Sequence, residues 1–123
     1  MRAPACGLLA ILLLPLPAPA QSQAEMNAEA QMELRKAETE LKAVQDQLMA
    51  KVSPAGKTAL RSAERAWRKY RDAQCTFDTL GATGGSVHPM LVSRCRATLT
   101  RQRKDQLAAH LNCEEGDLSC GRQ

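Results

Sequence analysis

From Ala30 to Leu48 the apolar residues recur at spacings of four and three: Ala30, Leu34, Ala37, Leu41, Val44 and Leu48. At 100° per residue they fall within an arc of about 80°, one stripe along an α-helix rather than the alternation of a strand. The positions between are mostly Glu, Lys, Gln and Ala, all good helix formers. Glu38 precedes Lys42 by one turn in the favourable order. The pattern predicts a helix from about Glu25 to Lys51.

Ser53-Pro54-Ala55-Gly56 interrupts this pattern. Pro54 suits a first helical position and Ser53 an N-cap, so a second helix is expected to follow. Its apolar positions are Leu60, Ala63, Trp67, Tyr70 and Phe77, with Gln74 among them, in an arc of roughly 100°. Every aromatic residue of the domain lies on that face, which makes this helix the expected central packing element. Gly81 to Pro89 holds three glycines and a proline and reads as a loop rather than helix. A third helix is expected from about Met90 to Leu111. Its stripe is Leu91, Val92, Cys95 and Leu99, from which Leu107 and Leu111 drift away.

The N-terminus has the pattern of a secretory signal peptide: Met1 and Arg2, an apolar run from Cys6 to Leu14, then Ala18-Pro19-Ala20. The run is too short for the roughly twenty residues that cross a bilayer, so no transmembrane anchor is expected. Cys6 precedes the apolar core, the wrong place for a lipidated cysteine. The expected organisation is a signal peptide over 1–20, a helical domain over 21–112 and a C-terminal tail over 113–123. The fold expected is all-α, a small three-helix antiparallel bundle with disulfides, acting in the periplasm or as a secreted protein.

Beyond the leader the chain has three aromatic residues and four cysteines, Cys75, Cys95, Cys113 and Cys120. An even cysteine count in an exported chain points to two bridges. Antiparallel packing of the second and third helices brings Cys75 to Cys95, and Cys113 with Cys120 would close the tail. Zinc is the alternative, because His110 lies three residues before Cys113, but the six-residue gap to Cys120 is not ordinary zinc-ligand spacing. The acidic tail loop lacks the ligand pattern of an EF-hand. Neither a metal nor another cofactor is expected.

Ala66 to Cys75 carries the pattern W-x-x-[FY]-R-D-x-x-C through Trp67, Tyr70, Arg71, Asp72 and Cys75. Gly84-Gly85-Ser86, Cys95 and the spacing T-x-x-R-x-x-x-L at Thr100, Arg103 and Leu107 follow in order. With Gln23 to Asn27 and Ala37 to Leu41, this run resembles the lysozyme inhibitor LprI-like family over about Gln23 to Leu111. The first helix departs most: there is no cysteine after Met26-Asn27, and Leu41-Lys42 and Gln45 stand where relatives tend to have Leu-Asn and Tyr. The resemblance implies a disulfide-linked helical domain outside the cytoplasm, in some members a lysozyme inhibitor. From the residues themselves, Trp67 and Tyr70 read as core, and Arg71 and Asp72 as an ion pair with neighbouring helices. No nucleophile, base and orienting group assemble around His88 or His110, so the chain is not expected to be an enzyme.

Charge is uneven along the chain. Residues 57–104 hold eleven basic and three acidic side chains, against four and six over 21–56. Arg61, Arg65, Arg68, Lys69, Arg94, Arg101 and Lys104 are therefore candidates for a basic face, attractive to anionic components of the bacterial envelope. With so few aromatics to stack bases, nucleic acid is not an expected partner. The other expected partner is lysozyme or another cell-wall glycosidase, whose catalytic carboxylates lie at the floor of a cleft. A helix about 10 Å wide enters such a cleft poorly. The expected contact is the glycine-rich loop, through Ser86 and His88 with Arg94 nearby.

Overall fold

A computed structural model describes residues 20–114 and 116–121. Apart from Ala20, the predicted signal peptide lies outside the described residues. Three helices form, α1 (Gln23–Lys51), α2 (Pro54–Asp78) and α3 (His88–Ala109), with a 3-10 turn over Leu80–Ala82. Among the described residues there is no strand.

Local chemistry explains each boundary. Ser22 caps α1 reciprocally with Glu25: the Ser22 hydroxyl accepts from the Glu25 amide at 3.2 Å, and the Ser22 amide donates to Glu25 Oε2 at 2.7 Å. These bonds hold the Glu25 carboxyl below its ordinary value, the Ser22 backbone amide contributing most. Val52 and Ser53 alone separate α1 from α2. The Ser53 hydroxyl accepts from the Gly56 amide at 3.1 Å, and Pro54 occupies the first turn, where its missing N–H is harmless.

Partners across the bundle give its topology. Asn27 reaches Ser86, Glu40 reaches Lys104, and Leu48 clusters with Leu107, so α1 and α3 run in the same direction. Arg71 reaches Glu38 and Thr100, while Glu64 meets Gln45 and Arg103, so α2 runs opposite to both. The bundle is up-down-up, and its closest backbone packing is between α1 and α3.

The two ends of the bundle are held differently. Around the α1–α2 reversal the core is aliphatic: Leu41, Leu48, Val52 and Leu107 are buried, with Val44, Leu60, Trp67 and Leu111 packed on them. Towards the α2–α3 connection the buried residues are mostly small, Ala30 and Ala37 on α1 and Ser93 and Ala97 on α3, with Met90 the one large apolar side chain buried among them. There Cys75 and Cys95 are disulfide-bonded, with their Cα atoms 5.7 Å apart. The cross-link stands where large buried apolar side chains are few.

Three expectations are corrected. The packed face of α2 is Leu60, Glu64, Trp67, Arg71 and Cys75, about 70° around the helix from the predicted stripe. Tyr70 and Phe77 are 56% and 73% exposed, and Trp67 is half-buried, so Tyr70 is not core and α2 is not the central element. Polar residues took the inner face because neighbouring helices supply their partners. On α3 the buried residues are Met90, Ser93, Ala97, Thr100 and Leu107 rather than the Leu91 stripe. Side-chain size decided this: small residues let α3 approach α1 closely. Finally, His88 and Pro89 belong to α3, because proline is tolerated in a first turn. The loop is correspondingly shorter.

Candidate functional site

A polar layer crosses the bundle above the aliphatic end. Arg71 on α2, its side chain only 11% exposed, donates from Nη1 to Glu38 Oε1 at 3.0 Å and to the Thr100 hydroxyl at 3.3 Å. Its Nε donates to Asp72 Oδ1 at 3.0 Å, and its guanidinium lies 5.4 Å from the centre of the Trp67 ring. Asp72 is shared with Arg96 of α3 at 3.2 Å. Two turns below, Glu64 accepts from Arg103 Nε at 2.8 Å and from Gln45 of α1. Each charge has an opposite neighbour from another helix, so the layer locks helix register. Sequence reading missed Glu64 and Gln45, since an acidic residue between two basic ones on a charged helix gives no inward signal.

The α2–α3 connection is compact. Amides of Ala82, Thr83 and Gly85 bond back to Thr79, Leu80 and Ala82, and Gly84 takes the left-handed region at φ 83°, which a side chain would strain. Asn27 Nδ2 donates to the Ser86 carbonyl at 3.2 Å, tying the connection to α1. Ser86 is exposed, and its hydroxyl has no partner among the described residues. His88 is different: half-buried, with Nε2 3.2 Å from the Thr79 hydroxyl, it braces the connection from within. Arg94 is exposed on α3, two turns further on.

The proposed basic face divides. Arg61, Arg65, Arg68 and Lys69 are exposed on α2 without an acidic partner among the described residues. Arg101 is exposed on α3 and bonds to Thr98. Lys104 is partly withdrawn from such a face: it is half-buried and paired with Glu40 at 3.5 Å and Asp105 at 3.6 Å.

In the tail, Cys113 and Cys120 are disulfide-bonded with Cα atoms 6.0 Å apart. His110 and the two cysteines do bring their ligand atoms within 4.8 Å of one another. Both sulfurs are spent in the bond, however, and His110 Nδ1 accepts from the Gly121 amide at 3.0 Å, so this donor set does not suit a zinc ion. Asp117 caps the tail turn through the Ser119 hydroxyl and amide, which lower its carboxyl from the ordinary value.

No helix among the described residues is long and apolar enough to cross a membrane. No solved structure matches the chain. An uncharacterized protein of Rhizobium meliloti (strain 1021) is 55% identical over 49 residues, which are 40% of this chain and 35% of that protein. The chain thus matches about a third of the length of that relative. The sequence model described as "Lysozyme inhibitor LprI" matches residues 17–107, a span that contains α1, α2, all but the last two residues of α3 and the partners of the polar layer. The residues of the W-x-x-[FY]-R-D-x-x-C and T-x-x-R-x-x-x-L spacings, Tyr70 excepted, are those that join α2 to its neighbours, and the chain belongs to the lysozyme inhibitor LprI family.

Proposed function

We propose that the protein inhibits a lysozyme-type glycosidase outside the cytoplasm by placing the α2–α3 connection in the enzyme's cleft. Family membership carries this reading. The connection adds support: its base is closed by the Cys75–Cys95 bridge, and Ser86 is exposed. Ser86 donates to a catalytic carboxylate and Arg94 adds charge from α3, while His88 holds the connection through Thr79. The reading is of a binding protein, not an enzyme.

A basic inhibitor meeting a basic lysozyme is slowed by repulsion. Lys69, the nearest of the four α2 cations, lies ten residues before Thr79, about 15 Å along the helix. That exceeds the screening length of about 8 Å at physiological salt, so the tip can approach without the full repulsion. The test is lysis of a cell-wall suspension by lysozyme in the presence of the purified protein. Lysis slows with added protein, and Ser86→Ala weakens the effect about tenfold, the worth of a lost charge-assisted hydrogen bond. Unimpeded lysis at excess protein rejects the reading.

The uncompensated α2 cations favour a second reading, attachment to an anionic envelope component through Arg61, Arg65, Arg68 and Lys69. Binding to an anionic polymer that weakens steeply with salt, without any effect on lysozyme, selects it over the first.

A further inference from the structure

The face of α2 that turns away from the bundle is a regular apolar seam. Ala59, Ala63, Ala66, Tyr70, Ala73, Phe77 and, just past the helix, Leu80 recur at spacings of four and three, and every one is exposed. The six helical positions span an arc of about 80°, the narrow stripe of a coiled-coil seam rather than the broad apolar face that lies on a membrane. Two of the three aromatic residues of the chain are on it. The basic side chains Arg61, Arg65 and Arg68 lie well off it by helical phase.

Its residues are graded in size. The first half is alanine, and the second half carries Tyr70, Phe77 and Leu80. Beside the alanine half an open cavity of about 240 Å³ is lined mainly by apolar residues, among them Ala59, Leu60, Ala63 and Leu107, with Arg103 and His110 also on its wall. A cavity of about 150 Å³ already holds a benzene ring. We propose that a second copy of this chain covers the seam, the two α2 helices pairing antiparallel about a two-fold axis at Tyr70. In that register Phe77 of each copy falls opposite Ala63 of the other, at the mouth of its cavity, and Leu80 falls opposite Ala59. Large meets small at both ends, as an isologous contact requires. Lys69 flanks the axis in both copies, so added salt tightens the association by screening that pair. The proposal is independent of glycosidase inhibition.

Sedimentation equilibrium of the purified protein tests it. The wild type dimerises, while Ala63→Glu and Phe77→Lys are each monomeric, with association weakened about a hundredfold, as for loss of an interface anchor. Both positions are exposed, so circular dichroism shows unchanged helix content. Mixing the two variants restores a dimer, because the mixed pair keeps one Phe77–Ala63 contact and sets the new acid against the new base at the other. A wild type that stays monomeric up to millimolar concentration overturns the proposal, as does a mixture that fails to pair. Phe77-dependent partition of a monomeric wild type onto vesicles of anionic lipid also overturns it, by assigning the seam to a membrane.

Discussion

Arg103 reaches from α3 to Glu64 on α2, its Nε donating to the carboxylate at 2.8 Å, although the two side chains are only 17% and 10% exposed. A pair this far from water is costly to break singly, because the remaining charge stays buried. Glu64→Ala is therefore expected to cost about 3 kcal/mol, the low end for such pairs since Arg103 keeps a path to solvent. Replacing Glu64 and Arg103 together by Met costs much less. Urea denaturation of the wild type and the two variants measures both differences.

Cys75→Ser removes the covalent tie at the end of the bundle where large buried apolar residues are few. The loss is expected to be about 3 kcal/mol for a loop of this length. Cys113→Ser costs less, since its bridge spans a sequence separation of 7 rather than 20. Thermal denaturation ranks the two, and non-reducing peptide mapping recovers Cys75 with Cys95 and Cys113 with Cys120.

The two aromatics of the family spacing behave oppositely. Trp67 packs on the aliphatic cluster and under Arg71, so Trp67→Ala is expected to cost about 3 kcal/mol. Tyr70 is 56% exposed, and Tyr70→Ala changes the stability of the monomer by about 0.5 kcal/mol or less. Denaturation at concentrations low enough to exclude pairing separates them. Equal losses would mean that the inner face of α2 is not the one described.

Glu25 titrates below an ordinary glutamate because the Ser22 amide and hydroxyl bond its charged form. A carboxyl depressed in the folded state stabilises the N-terminus of α1 above its unfolded value, and the contribution disappears as pH falls through the folded one. Carboxyl NMR titration is expected to show the depression in the wild type and a return towards the ordinary value in Ser22→Ala. The first turn of α1 frays on acidification in the former.

How far the fold could be read in advance depended on what each helix face had to contact. The α1 stripe was legible because Leu41 and Leu48 enter an aliphatic cluster, where hydropathy and burial coincide. Ser53 and Pro54 marked the reversal because capping chemistry is local. The faces of α2 and α3 were misread where packing is governed by other quantities: partner charges for Glu64 and Arg71, small volume for Ser93, Ala97 and Thr100. Periodicity found the aromatic stripe of α2 but not its direction, since a seam for another molecule and a seam for the core have the same spacing. Of the expected contact residues, Ser86 and Arg94 are exposed, whereas the role of His88 was hidden by its bond to a threonine nine positions away.

The unequal ends of the bundle make its order depend on redox compartment. Around Val52 the helices are held by burial, which a reductant does not touch. The end that shapes the connection leans on a covalent bond, so on reduction its amides are expected to exchange faster than those of the aliphatic end. The geometry around Ser86 is thus tied to the pairing of the Cys75 and Cys95 thiols.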